Sequence, residues 1–382
     1  VKILTIIYEY PPIGGGGGVV AAALNRRLAE TGDRVRIVTS RMRGLPAQET
    51  ADGVAITRTA CIRLHRHYTT AAELATTLWS TYREAARMIR EDRPDLIHCH
   101  FVFPSGLIAW LLSRRFGIPF VLTAHGSDIP GYNPDRFRRL HKILKPIWRR
   151  IVRSATVVTS PSRYLGNLIR LSAPRLPIYV VPNGYSARPR PPRAKRKLVL
   201  VVARLFPRKG VQKFIEAVAG SNSDWEFVVA GDGPYMDTLR AQARASRSPV
   251  RFVGFLDEKT LAGYYDEARI FVFPSIRENF PMVLLEAMEA GCAVITTDAE
   301  GCAEVVENAG VVVPSSDAQA LRDALSSLMT DEARCEDLSR RARARAELFR
   351  WERTAELYRA VFERVLTNNS TMVRILSVPK SA

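Results

Sequence analysis

The sequence has no apolar run of the roughly 18–20 residues that a membrane-crossing helix needs, so no spanning segment is expected. Cysteine is sparse. Cys61, Cys99, Cys292, Cys302 and Cys335 are scattered, with no Cys-x-x-Cys pair. That pattern argues against a zinc site and for reduced thiols in a cytosolic protein. The first residues lack the charged segment and hydrophobic run of a secretion signal, and none is expected. Acidic residues are few: 38 stand against 56 lysines and arginines, a net charge of +18. Such a surplus suits nucleic acid, an anionic membrane or phosphorylated small molecules. The excess is mostly arginine spread along the chain, and no nucleic-acid module is visible. No nucleic-acid partner is therefore expected.

With 382 residues, 47% of them hydrophobic, the chain is long enough for two domains with large cores. Short apolar runs alternate with helical periods in both halves. This indicates an α/β protein of two doubly wound, Rossmann-like domains facing across a cleft. The first domain is expected over 1–184 and the second over 198–350, joined by a Pro- and Arg-rich linker, 185–197. A helix is expected over 351–366 and a loose tail over 367–382. Residues 45–70 read as irregular and basic.

The densest signal is Pro274–Thr296. A strand-forming run leads into a polar loop, and a helix is expected from Pro281, since proline suits the first helical position. Gly291 ends that helix and the next strand follows. Glu278 lies in the loop. Glu286 lies in the mostly apolar helix, where a carboxylate is costly without a partner. Two vicinal sugar hydroxyls would satisfy it; a solvated surface glutamate is the plain alternative.

Other motifs also fall at strand ends. Lys2–Ile7 reads as a strand, then a glycine run with Gly15 and Gly16, then a helix from Val19. That order suits close approach to a phosphate at a helix N-terminus. A dinucleotide loop would need an acid after the next strand, but Val35–Thr39 leads to Ser40 and Arg41. Phe120–Thr123 runs into Ala-His-Gly-Ser-Asp, which puts His125 and Asp128 at a carboxyl end. His98 and His100 form a His-x-His that, lacking a third ligand, reads as strand-end packing rather than a metal site. Further on, Arg204 and Lys209 flank a loop after Leu198–Val202. Paired cations there suit a diphosphate, because charge developing on a leaving diphosphate needs fixed positive partners. Two more strands end in turns, Gly231-Asp-Gly-Pro and Val253-Gly-Phe-Leu.

In this order, from Pro11 to about Leu366, the motifs resemble the retaining family 4 glycosyltransferases, which have the GT-B fold. The resemblance implies a nucleotide-sugar-dependent hexosyltransferase that retains anomeric configuration. It places Gly15 and Gly16 beside the donor diphosphate and the acceptor. His125 then lies near the reacting sugar and donates a hydrogen bond to it. Arg204 and Lys209 clamp the diphosphate, Glu278 approaches the donor sugar and Glu286 holds the ribose. The turns at Gly231 and Val253 present backbone to the nucleobase. Many members carry glycine where this chain has Pro281. Proline has no N–H, so a diphosphate cradle falls to the N–H groups of Phe280, Met282 and Val283. The helix 351–366 is implied to cross back onto the first domain.

No Asp-x-Asp triplet occurs, so neither a metal nor a cofactor is expected. A UDP-sugar is the first donor expectation and GDP-mannose the second. The stretches HCHFVFPSG and HGSD look most like enzymes of cell-surface polysaccharide synthesis. A polyprenyl-linked glycan is therefore the first acceptor expectation, and a soluble small molecule the second. A phosphorylase or epimerase would share the architecture without the full motif set. An oxidoreductase would explain only the glycines. A non-catalytic binder would keep the donor clamp without turnover.

Residues 135–153 carry apolar side chains at helical spacing (Phe137, Leu140, Leu144, Ile147, Ile151) among many arginines and lysines. Pro146 is expected to kink or divide this helix. A basic amphipathic helix suits an anionic membrane, placing the protein in the cytoplasm at the inner face of the cell membrane. Packing of the apolar face on the domain's own sheet is the equal alternative.

Overall fold

The computed structural model describes residues 1–65, 69–132, 138–174, 176–187 and 194–367, side chains of 138–141 excepted. The chain forms two compact units. Among the described residues, one comprises 1–184 with 351–367, the other 185–350.

The strands of the first unit are β1 Lys2–Ile6, β2 Arg34–Ser40, β3 Gln48–Ala51, β4 Val54–Thr59, β5 Leu96–His100, β6 Phe120–Thr123, β7 Val157–Ser160 and β8 Ile178–Val180. Its helices are α1 Gly16–Glu30, α2 Ala71–Glu91, α3 Leu107–Phe116, α4 Arg138–Ser154 and α5 Arg163–Ser172. The sheet runs β3-β4-β2-β1-β5-β6-β7-β8. All pairings are parallel except β3 with β4. The order reverses at β1, between β2 and β5, so the loops after β1 and β5 open a crevice at the carboxyl edge. Local signals set the elements. Thr70 and Glu73 form a capping box that starts α2.

The expectation of irregular chain over 45–70 fails at β3 and β4. Asp52 and Gly53 both have positive φ, 52° and 75°, as a two-residue primed hairpin turn requires. The signal was the Asp-Gly pair, weakened by the short polar strand before it, Gln48–Ala51.

The second unit has β9 Arg196–Val202, β10 Glu226–Ala230, β11 Val250–Gly254, β12 Ala268–Phe273, β13 Ala293–Thr297 and β14 Val311–Val313. Between and after them come α6 Val211–Ala217, α7 Met236–Ala245, α8 Glu258–Glu267, α9 Met282–Glu289, α10 Glu300–Val306, α11 Ala318–Thr330 and α12 Glu332–Ala346. The sheet is wholly parallel, in the order β11-β10-β9-β12-β13-β14. The reversal falls between β9 and β12, both buried along most of their length. Arg196 and Lys197, expected in the linker, instead begin β9. Arg196 pairs with Glu226 and Glu267, and Lys197 pairs with Asp224.

The last helix, α13 Trp351–Thr367, belongs to the first unit. Trp351, Ala355, Tyr358, Phe362 and Val365 recur every three or four residues and are buried with Leu24 and Leu28 of α1. A Cβ on Gly184 would lie 2.5 Å from the Trp351 ring, so only glycine fits beneath it. Truncating a buried ring such as Phe362 should cost about 3–5 kcal/mol. The expected tail, beyond Thr367, lies outside the described residues.

Candidate functional site

Each unit carries its own cluster at the carboxyl edge of its sheet. In the second unit, β9 leads through Arg204 to a single 3-10 turn, Pro207–Lys209. Gly210 follows with φ of 69°, and a Cβ there would sit 1.8 Å from the Pro274 carbonyl oxygen. Glycine thus lets this turn lie directly on the loop after β12. Two contacts hold it there. The N–H of Ile276 donates to the Arg208 carbonyl at 3.0 Å. The Ser275 hydroxyl is 3.1 Å from the same oxygen and 2.8 Å from Oε1 of Glu278.

The result is an ion pair: Nζ of Lys209 donates to Oε1 of Glu278. The ammonium also lies 5.4 Å from the Phe273 ring centroid, a cation–π contact. Arg204 is exposed, its guanidinium stacked 5.3 Å from the Phe206 ring centroid. Cys302 lies close by. Burial, and then the Glu278 carboxylate, push its thiol up to about 12, so it stays protonated.

Pro281 caps α9, and the helix proper begins at Met282, one residue later than expected. Met282, Val283, Glu286 and Glu289 share the half-buried side of α9, while Leu284, Leu285, Ala287 and Met288 are buried. Gly231 follows β10 with φ of 130° and packs on the Ala203 carbonyl, where a Cβ would be 1.9 Å away. Its N–H donates to Gly254 at 2.7 Å, which brings the Gly231 turn beside the end of β11 and Val253. Lys209, Glu278, Ser275 and the start of α9 thus gather at the β9/β12 reversal, and Gly231 and Val253 lie along the same edge. Ser275 is wholly buried here, and the sequence marks it only by its place in the polar loop three residues before Glu278.

In the first unit α1 begins at Gly16, not at Val19, and Gly15 is its N-cap. Three of the glycines are helical. Gly17 and Gly18 are constrained by close neighbours. A Cβ on Gly17 would meet the Phe101 ring at 2.4 Å, and one on Gly18 would meet the Glu9 carbonyl at 2.9 Å. The buried carboxylate of Glu9 accepts from the Gly18 N–H at 3.2 Å. One of the first-turn donors that would suit an anion is therefore already used by the chain.

His125 follows β6 and is half-buried. Asp128 shapes its loop. Oδ1 accepts from the N–H groups of His125 and Gly126 at 3.2 and 3.0 Å, and Oδ2 accepts from Val102 at 3.0 Å. Burial raises the Asp128 carboxyl above its ordinary range, although these backbone donors pull it down. Nε2 of His125 is 2.9 Å from Nδ1 of His100. The Phe101 ring lies 4.5 Å from the His125 ring. Burial pushes His125 down to about 3. His98 and His100 are both buried, but His100 is more than strand-end packing, because it bonds His125 directly. Among the described residues no three His, Cys, Asp or Glu side chains gather as a metal site.

On α4, Trp148, Ile151 and Val152 are buried, and the Trp148 indole donates to the Asp128 carbonyl at 3.0 Å. Leu144 and Ile147 are half-buried, while Lys142, Ile143, Arg150 and Arg153 are exposed. The described part of the expected apolar face therefore packs inward. Pro146 sits inside one continuous helix and does not divide it. Phe137 and the Leu140 side chain lie outside the described residues. No helix among the described residues is long and apolar enough to cross a membrane.

Residues 14–188 match the family model described as Glycosyltransferase Family 4, and residues 186–345 match that of glycosyl transferases group 1. The chain is 30% identical over 359 residues to the 2-deoxystreptamine N-acetyl-D-glucosaminyltransferase of Streptomyces fradiae, covering 85% of each chain. It is 30% identical over 254 residues to the Bacillus subtilis glycosyltransferase TuaC, provisionally assigned to teichuronic acid biosynthesis, and spans 62% of that protein's length and of its own. The crystal structure of Anabaena Alr3699/HepE in complex with UDP-glucose matches at a TM-score of 0.73 and 18% identity, over 96% of this chain and all of that one.

Proposed function

The chain belongs to the family 4 glycosyltransferases and has their GT-B fold, and we propose that it transfers a hexose from a nucleotide sugar to a glycan acceptor with retention and without a metal. The observation that carries this reading is the Lys209–Glu278 pair held at the β9/β12 reversal.

In this reading Arg204 and Lys209 take the donor diphosphate, helped by the N–H groups of Phe280, Met282 and Val283 around the start of α9. Glu286 accepts from the ribose hydroxyls, and the turns at Gly231 and Val253 face the base. Glu278 approaches the donor sugar; His125, Gly15 and Gly16 serve the sugar and the acceptor side. The anomeric C–O bond breaks and its electron pair leaves with the diphosphate, whose charge the two cations stabilise. The acceptor hydroxyl attacks from the same face and its proton passes to the departing phosphate oxygen.

A UDP-sugar is the first donor, supported by the UDP-glucose complex of the Anabaena protein, with GDP-mannose second. A polyprenyl-linked glycan of cell-surface polysaccharide is the first acceptor, supported by the likeness to TuaC. A soluble acceptor is second, supported by the likeness to an enzyme named for 2-deoxystreptamine. The exposed cations of α4 would then meet anionic headgroups at the inner membrane face while its apolar side stays in the core.

The test is a panel of nucleotide sugars with both acceptor classes, reading nucleotide release and product anomeric configuration, with and without a chelator. Release with retained configuration in the chelator is the expected result. Inverted product, or activity that returns only with magnesium or manganese, counts against the mechanism. Tight nucleotide binding without release leaves a non-catalytic binder.

A further inference from the structure

His100 ends β5 and pairs in register with Thr123, the last residue of β6. That register brings His100 together with His125, two residues beyond Thr123, at 2.9 Å between Nδ1 and Nε2. The next residue, Phe101, has φ of 69°, a strained value for a phenylalanine. Its backbone is held by two bonds: its N–H donates to Thr123 at 3.0 Å and its carbonyl accepts from Gly106 at 3.0 Å. The strained turn lays the Phe101 ring against His125, with the Tyr8 ring centroid 4.9 Å from that of Phe101 and Gly17 close against the same ring. His125 is thus held at one nitrogen by His100 and against its ring by Phe101.

One hydrogen lies between the two rings. Burial keeps both neutral at pH 7: His125 is pushed down to about 3 and His100 well below the usual range. Suppose the hydrogen belonged to His125. Neutral His100 would then carry its own on Nε2, which is buried and has no hydrogen-bond partner among the described residues. Orphaned buried N–H groups are rare, and unused acceptors are less so. The hydrogen therefore belongs to Nδ1 of His100.

We propose that His100 is a positioning residue for sugar transfer: by donating Nδ1–H to Nε2 of His125, it fixes His125 as the Nδ1–H tautomer and so sets which nitrogen offers a hydrogen to the sugar. The proposal rests on the reading that His125 contacts the donor sugar. It does not involve His98, whose Nε2 is committed to Thr123 at 2.8 Å and whose ring packs against His100, Tyr358 and Phe362 without a hydrogen bond to His100.

The experiment has two independent readouts. Long-range proton–nitrogen NMR of the full chain assigns the His125 tautomer, with H125A identifying its signals. Wild type should show hydrogen on Nδ1. Hydrogen on Nε2 overturns the proposal without any variant having to fold. In kinetics, H100N keeps an amide donor near the original Nδ1 and should stay within about 3-fold of wild-type kcat. H100L removes the donor and should lose about 10- to 100-fold in kcat, the range for a positioning partner, with the nucleotide-sugar KM little changed. Equal kcat for H100L and H100N overturns the role. Full turnover by H125A removes the sugar contact itself, a failure of the underlying reading that the tautomer measurement distinguishes.

Discussion

Lys209 and Glu278, 69 residues apart, form one ion pair, with side chains only 16% and 12% exposed. The cation read as a diphosphate clamp and the acid read as facing the donor sugar therefore neutralise each other before donor binds. A diphosphate arriving at Lys209 competes with Glu278 for the ammonium. Ser275 remains on the same carboxylate oxygen at 2.8 Å and limits how far Glu278 can swing.

Lys209→Ala should lower turnover about 100- to 1000-fold, the cost of losing one fixed donor to developing charge. A lysine facing an open cleft would change folding little on removal. The pairing changes that expectation, because the variant strands a buried carboxylate, a loss of about 3–5 kcal/mol. Adding Glu278→Gln should restore much of the stability and none of the turnover. Denaturant unfolding and initial rates on the single and double variants check this. Normal turnover by Lys209→Ala would refute the clamp.

Glu286→Ala should weaken nucleotide binding by about 1.5–3 kcal/mol, the range for hydrogen bonds to a charged group. A 2′-deoxy nucleotide should bind wild type more weakly but the variant almost unchanged. Calorimetric titration of the four combinations measures the coupling. Equal losses in both proteins would put Glu286 away from the ribose.

Acid should destabilise the first unit early. Burial lowers His98 and His125 to about 3, and lowers His100 well below the ordinary imidazole range. The unfolded imidazoles titrate near 6.5, so below that pH the unfolded chain binds protons that the native state refuses. Stability is full above about pH 6.5 and falls as pH drops toward 3, by up to roughly 1.4 kcal/mol per pH unit for each histidine. Asp128, raised by burial, opposes the fall at the acid end. Unfolding followed by fluorescence in a Trp225→Phe background reports the first unit, which holds the other tryptophans. Equal stability at pH 7.5 and 5.5 would contradict the burial of these rings.

Liposome co-sedimentation should show binding that rises with anionic lipid and falls with salt, each cation near the surface contributing roughly 1 kcal/mol. Replacing Lys142, Arg150 and Arg153 by Glu should reduce it while leaving the buried Trp148 and Ile151 packing intact. No binding to anionic vesicles at low salt would favour the soluble acceptor.

The alternation of strands and helices was legible in the sequence because it is local: each run's period and each turn's glycine or proline act within a few residues. The same holds for the choice of Glu278, Glu286, Arg204, Lys209 and His125 as candidates, since their signals lie in short spacings beside strand ends. Tertiary structure alone decided which of them meet. Lys209 reaches Glu278 because Gly210 lets one loop lie on the Pro274 carbonyl, a contact no local pattern encodes. His100 reaches His125 because β5 and β6 pair with His100 opposite Thr123, a register set by burial of two whole strands. Glu9 occupies a first-turn N–H of the glycine helix for the same reason: the fold, not the glycine run, brings the carboxylate there. Side-chain type is written along the chain, whereas partnership depends on distances between segments that only the packed sheets fix.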